Sequence, residues 1–322
     1  MDRTEFISRL NTWGKDRTPF LFIVDFEFDE PIAFPLAKVA DGVVFNIEGF
    51  TNETPVPVKP GMGIVEKQPI TFEEYSGKFK IVYDHLNYGD SYLTNLTTRT
   101  KIALDQNLSD VYHTCSARYK LLYKNDFLVF SPESFVKIKD NKIYSFPMKG
   151  TIDAGIKNAG AIILSDKKEL AEHVTIVDLI RNDLSQVSRN VTVTRFRYID
   201  EIRTRTQNLL QVSSEICGTL PSDFYGEVGN ILSALLPAGS VSGAPKSKTL
   251  EIIRKSEQGK RGYYTGVFGY FDGHELNSGV MIRFIEREGN TYYYRSGGGI
   301  TTQSDALTEY QETISKVYVP VD

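Results

Sequence analysis

Hydrophobic and polar positions alternate in short runs along much of the chain, and the runs close on glycine, asparagine, aspartate or proline. "PFLFIVDFEF" and "ADGVVFNIEGF" are dense in Phe, Val and Ile and predict sheet strands. "SYLTNLTTRTKIAL", "DFLVFSPESFVKIKDNKIYSFPMKG", "GVFGYFDG" and "LNSGVMIRFIEREGNTYYYRSGGGI" continue the pattern, joined by Gly, Asn-Lys or Gly-Asn turns. Hairpin spacing of this kind argues for large antiparallel sheets rather than βαβ units. The period turns helical in "EEYSGKFKIVYDHLNYGD", in "SDKKELAEHVTIVDLIRNDL" and from about Ser304 in "SDALTEYQETISKVY". Leu170, Val174, Val177 and Leu184 form the expected apolar stripe of the second helix, and Leu307, Tyr310, Ile314 and Val317 that of the third. Asp166 followed by Glu169 resembles a capping box. The proline-rich segment from about 52 to 70 predicts a loop, and no internal repeat is present.

Composition narrows the class. The chain has 322 residues, 41% of them hydrophobic and 24% charged, with mean hydropathy -0.26. That is the balance of a soluble globular protein with one large core, and no run reaches the roughly 18 apolar residues of a membrane span. The start lacks a basic segment followed by an apolar one, so no secretory signal is expected and the cytoplasm is the default location. Cys115 and Cys217 lack metal-ligand spacing and read as free, buried thiols. A net charge of -4 argues against a nucleic-acid binder. The one basic cluster, "RFRYIDEIRTRTQ", is interleaved with Asp200 and Glu201 and reads as a solvated strand face.

Several positions could carry chemistry, and each has a bland alternative. Glu169 with Glu172, and Glu309 with Glu312, stand three apart on helices. Brought together, two such pairs would suit Mg²⁺; singly they are ordinary solvated carboxylates. "PAGSVSGAPKSKTLEII" sets Gly239, Gly243 and Pro245 before a helix, where backbone N–H groups and Lys246 could hold an anion, or the glycines simply turn the chain. Gly297, Gly298 and Gly299 in "RSGGGI" could admit a ligand close to the backbone, or make a turn. Arg283 reads as lying inside a strand, either facing solvent or gripping a carboxylate. Glu133, after a Ser-Pro turn, is either solvated or a general acid or base. The four histidines show no hydrolase spacing, and His173 reads as structural. Lys149, in "YSFPMKGTIDAG", is either a solvated charge at a strand end or an amine placed for chemistry.

In this order, "GDSYLTNL", "SPESF", "PMKGT", "DKKELAEHVTIVDLIRNDL", "LLPAGSVSGAPKSKTLEII", "RGYYTGVFGYFD", "SGVMIRF" and "GGGIT" followed by "EYQETISK" resemble the chorismate-utilising enzymes over about residues 85 to 322. The resemblance implies an α+β fold, with two large antiparallel β-sheets packed as a sandwich and helices on the outside. It implies a single chorismate-binding catalytic domain over 1–322, with a shortened N-terminal part of about 85 residues that leaves tryptophan feedback doubtful. Carried over, Glu169, Glu172, Glu309 and Glu312 are the Mg²⁺ carboxylates, some acting through water. Arg283, Tyr264 and Lys316 hold the enolpyruvyl side chain, with Gly243, Ala244, Lys246 and Gly297 to Gly299 assisting. Glu133 is the general acid near the departing 4-hydroxyl, Thr151 lines the ring pocket, and Gln211 stands where many relatives have a histidine.

Lys149 discriminates within the family. Anthranilate synthases have alanine in this slot, whereas aminodeoxychorismate synthases have a lysine thought to attack C2 of chorismate. Leu93 stands where isochorismate and salicylate synthases carry a water-activating lysine and where amidating members usually have glutamine. The resemblance therefore implies aminodeoxychorismate synthase component I, making 4-amino-4-deoxychorismate for p-aminobenzoate and folate. No glutaminase region is recognisable, so ammonia is expected from a separate glutamine amidotransferase subunit. The alternatives are anthranilate synthase component I and a non-catalytic chorismate-binding protein.

Overall fold

A computed structural model describes residues 1–54, 61, 63–203 and 208–320. Prolines 55, 57 and 60 of the expected loop, and positions 204–207 of the basic cluster, lie outside the described residues. The alternating runs form two antiparallel sheets. The first runs β11 (Met148–Asp153), β13 (Asn208–Thr219), β10 (Lys142–Ser145), β9 (Ser134–Lys139), β16 (Leu276–Val280), β15 (Val267–Phe271), β1 (Phe20–Val24), β2 (Ile32–Pro35), with β12 (Arg189–Arg203) also on β13. The second runs β14 (Gly243–Ala244), β6 (Leu93–Leu104), β18 (Thr291–Ile300), β17 (Phe284–Glu288), β8 (Phe127–Ser131), β7 (Tyr119–Tyr123), β3 (Val43–Ile47), β4 (Phe50–Thr51), with β5 (Ile64–Gln68) also on β6.

The period of two along each strand decides how the layers stack. Leu21 and Ile23 of β1 join Phe268, Phe45, Leu121, Phe127 and Phe284 in a cluster between the sheets. Phe20, Phe22 and Val24 point the other way, into a core that includes Phe6 and Leu10 of α1 (Arg3–Lys15). The same outer core takes Ile176 and Ile180 of α5 (Lys167–Ser185) and Ile231 and Leu232 of α6 (Val228–Leu235). On the far face of the second sheet, Tyr75 and Phe79 of α2 (Phe72–Tyr88) and Ile252 of α7 (Lys246–Glu257) meet Leu96 and Ile300. Leu108 and Val111 of α3 (Leu108–Thr114) meet Leu128 and Ile285 there. The expected sandwich with external helices is thus the observed architecture. α4 (Ala159–Ser165) and α8 (Ala306–Ser315) lie beside the site described below.

Five local expectations change. The 52–70 segment includes the strand β5, which pairs with β6. In α5 the buried residues are His173, Ile176, Val177, Leu179, Ile180, Asp183 and Leu184, while Leu170 and Val174 are 37% and 47% exposed. The inward face of its first half belongs to polar groups, so the aliphatic stripe begins a turn later. In α8 Glu309 and Thr313 are buried and Leu307 is exposed, for the same reason. Arg283 is not inside a strand: it joins β16 to β17 with φ at 55°. Gly297, Gly298 and Gly299 make no turn, because they lie in β18 opposite Thr97, Leu96 and Asn95. Asp166 caps α5 as expected, its carboxylate accepting from the Glu169 N–H at 3.0 Å. Both cysteines are buried and neither forms a disulfide, and among the described residues no helix is long and apolar enough to cross a membrane.

Candidate active site

Lys149 is placed by an irregularity in β11. The register against β13 shifts between Lys149, opposite Val212, and Thr151, opposite Gln211. Gly150 takes up the shift with φ at 77°, a conformation that a side chain disfavours. Space adds a second reason for glycine: a Cβ here would lie 3.1 Å from Glu169 Oε2 and 3.3 Å from Ile163 Cδ1. The bulge aims Lys149 along the sheet edge toward α5, where its Nζ donates to Glu172 Oε2 at 3.1 Å. One turn of α5 thereby brings Glu169 to Gly150 and Glu172 to Lys149.

The glycines of β18 let the second sheet join this group. A Cβ on Gly299 would lie 3.4 Å from Lys149 Nζ and 2.9 Å from Leu93 Cδ1. One on Gly298 would lie 3.4 Å from Glu309 Oε2 and 3.7 Å from Lys316 Nζ. Adjacent strand residues face opposite ways, so Lys149 and Glu309 approach the same bare backbone from its two sides. α8 is held against it by Lys316 Nζ, which donates to the Gly297 carbonyl at 2.9 Å and pairs with Glu312 at 2.7 Å. Ser304 donates to Glu309 Oε1 at 2.8 Å. Leu93, buried on β6, supplies an apolar wall where the motif order would allow a polar side chain.

Glu133 is not the solvated turn residue that its place between β8 and β9 allows. Its carboxyl lines a cavity of about 20 Å³ with Phe135, Ile180, Leu184, Leu235 and Ala238, room for about one water molecule. Burial raises its pKa, and the bond from Ser240 and the charge of Lys149 pull the other way. A part-buried carboxyl whose pKa is raised overall is suited to donate a proton. His173, which the sequence reads as structural, is buried, 2.7 Å from Ser214 Oγ, and pushed down to about 4 by burial first and then by Arg197 and Lys149.

A family model described as "chorismate binding enzyme" matches residues 43–322. The chain belongs to the chorismate-binding enzymes. It is 48% identical over 318 residues to an uncharacterised PabA-like protein of Haemophilus influenzae, covering 98% of this chain and 97% of that one. It is 32% identical over 265 residues to aminodeoxychorismate synthase component 1 of Bacillus subtilis, covering 78% of this chain and 55% of that one. Among solved structures, anthranilate synthase component I of Streptococcus pneumoniae aligns with TM-score 0.69 and 30% identity over 81% of this chain and 61% of that one. The menaquinone-specific isochorismate synthase MenF of Escherichia coli, at 15% identity, shares the fold with TM-score 0.73 over 97% of this chain and 80% of that one.

In this chorismate-binding enzyme the expected site residues do not all converge. Lys246 is directed away from the glycine strand, its ammonium held by Asp183 Oδ2 at 2.8 Å and the Leu235 carbonyl at 3.2 Å, so anion binding through it is not what this geometry offers. Tyr264 is buried in the inter-sheet cluster against Phe284. Arg283 donates to the Lys316 carbonyl at 3.0 Å and lies over the Tyr318 ring, which brings it to the end of α8. Gly243 and Ala244 pair with Thr94 and Leu93, fixing the Leu93 backbone. Gln211 and Thr151 are cross-strand neighbours with Nε2 and Oγ1 3.5 Å apart, and Thr151 is exposed. The carboxylates of α5 and α8 fit Mg²⁺ in kind, being hard oxygen donors. Among the described residues, however, no three His, Cys, Asp or Glu side chains group as a metal cage. Ser240, Asp183 and Ser304 escape sequence reasoning, since nothing local to a serine in a glycine-rich turn tells which carboxylate 107 positions away it meets.

Proposed function

We propose that the chain is an aminodeoxychorismate synthase component I. It exchanges the 4-hydroxyl of chorismate for an amino group, giving 4-amino-4-deoxychorismate for the p-aminobenzoate branch of folate synthesis. The observation that carries this reading is the placement of Lys149, bonded to Glu172, over the bare backbone of Gly299 and within the field of Glu133. A lysine so held can act as a nucleophile once it gives up a proton, and Glu172 is the carboxylate placed to receive it. Lys149 Nζ then bonds C2 while the ring double bond shifts and the C4–O bond breaks. Glu133 gives its proton to the departing oxygen, which leaves as water. Ammonia adds at C4, the double bond returns, the C2–N bond breaks, the surplus proton of the incoming nitrogen restores Glu133, and Glu172 returns its proton to the released Lys149 amine.

Mg²⁺ held by carboxylates among Glu169, Glu172, Glu309 and Glu312 would supply positive charge for a carboxylate of the substrate. Ammonia is supplied in the cytoplasm by a glutamine amidotransferase subunit, a reading supported by the component 1 name of the Bacillus subtilis relative. The chain spans 55% of that relative.

A second reading has its own support. Anthranilate synthase component 1 of Cereibacter sphaeroides is 39% identical over 196 residues, 58% of this chain and 38% of that one. One assay decides: chorismate, Mg²⁺ and ammonium are supplied and the product is identified by mass spectrometry. An amino-deoxychorismate that becomes aromatic only when a separate lyase is added is expected. Anthranilate fluorescence with pyruvate release and no lyase would overturn the proposal.

A further inference from the structure

The Glu133 side chain spans the packed layer to a hydroxyl far off in sequence: Ser240 Oγ donates to its Oε1. Ser240 is held in the one-turn helix Gly239–Val241, whose flanking Gly239 and Val241 are both buried. The rest of the carboxyl's surroundings is mostly apolar, with Asp183 of α5 on the same cavity wall. The charged groups facing Glu133 are therefore Lys149 from β11, Asp183 from α5 and, behind Asp183, Lys246 from α7.

A protonated carboxyl carries its proton on either of two oxygens. An oxygen that accepts from a hydroxyl keeps its lone pair for that bond, and the proton goes to the other. We propose that Ser240 is a positioning residue for the acid: by donating to Oε1 it confines the transferable proton to Oε2 and fixes the carboxyl's orientation. The inference rests on the reading of Glu133 as the acid in C4 amination. In that step the Oε2–H bond breaks as an O–H bond of the departing water forms. The electron pair stays on Oε2, and Ser240 keeps its own proton throughout.

The test compares Ser240→Ala, Ser240→Cys and Ser240→Thr in the full chain. Two readouts are taken, the pH profile of kcat and the carboxyl infrared band of Glu133, which Glu133→Gln identifies by difference. The hydroxyl bond favours the ionised carboxylate, so losing it raises the pKa. Ser240→Ala should move the infrared titration and the basic limb of kcat upward by about one pH unit and lower kcat about tenfold. Ser240→Thr should keep wild-type values, and Ser240→Cys, a weaker donor, should shift part-way even if the alanine variant does not fold. A Glu133 titration and kcat unmoved in the alanine or cysteine variant would overturn the inference. An infrared shift in an enzyme that does not aminate C4 would leave the Ser240–Glu133 coupling standing and remove only the proposed function.

Discussion

Replacing Gly297, Gly298 and Gly299 by alanine one at a time separates what the glycine strand does for stability from what it does for the site. At Gly297 the new Cβ would lie 2.4 Å from the Leu96 carbonyl oxygen. Against a normal C···O approach of about 3.3 Å it is short by about 0.9 Å, and the neighbour is ladder backbone that cannot yield. A loss of about 3 kcal/mol or more is expected there. At Gly299 the clash is with Leu93 Cδ1 at 2.9 Å, about 0.6 Å inside ordinary carbon contact. Leu93 is buried but its end can turn, so a loss of about 1–2 kcal/mol is expected, as for other overpacked cores. At Gly298 the contacts are 3.4 Å to Glu309 Oε2 and 3.7 Å to Lys316 Nζ, which need no movement. The smaller backbone entropy cost of alanine, roughly 0.5–1 kcal/mol, should leave this variant as stable as the wild type or more so. Activity should follow another order. The methyl group at 299 enters the space beside Lys149, and the one at 298, on the opposite face, the space beside Glu309 and Lys316, so each should lower kcat about a hundredfold. Urea unfolding and ammonium-dependent turnover read the two scales. Equal stabilities across the series, or wild-type kcat in Gly298→Ala, would refute the reasoning.

Three further outcomes are expected. Lys149→Ala should abolish C4 amination while unfolding close to the wild type, because the Lys149–Glu172 pair is only partly buried; unchanged turnover in the same ammonium assay would remove it as nucleophile. Glu133→Gln should lose turnover yet gain stability at neutral pH. A carboxyl whose folded pKa is raised from 4.5 makes the native state lose stability as pH rises from that value, and the amide does not; urea midpoints across pH should show the difference opening. Glu48 is the opposite case: burial pushes it up, but bonds from Lys137, Asn277 and Arg118 prevail and hold it at about 2. Its stabilisation is complete above 4.5 and lost as pH falls toward 2, so Glu48→Gln should cost about 1–2 kcal/mol at pH 7 and nothing near pH 2 in the same measurement.

The strands were the legible part of the chain, because a strand buried on both faces writes a continuous apolar run, as in Phe20 to Val24, and a half-buried one an alternation, as in Val43 to Ile47. Helix faces were less so. In α5 and α8 the sequence periodicity pointed to Leu170 and Leu307, but both are exposed and the inward positions went to His173 and Glu309. Sequence patterning assumes that what is buried is apolar, and it fails where a polar site is what a helix packs against. Arg283 and the glycine run were misplaced for a related reason. Backbone irregularity is set by tertiary contacts, here Arg283 to the end of α8 and β18 to β6.

The same irregularity explains why a lysine in this slot can serve chemistry at all. A regular β11 would keep Lys149 and Thr151 on one face, both opposite their β13 partners. The shift at Gly150 breaks that relation: Thr151 stays beside Gln211, while Lys149 reaches Glu172 and Gly299. The glycine after the lysine is then as much a requirement of the site as the lysine, because alanine there would meet Glu169 Oε2 at 3.1 Å in a backbone conformation that alanine resists. Changing only the residue at 149 alters which group is presented to the ring; changing 150 alters whether any group is presented. A scaffold built in this way can exchange lysine for alanine at one position without repacking its sheets, and under the proposed function the nitrogen's destination on the ring turns on that position.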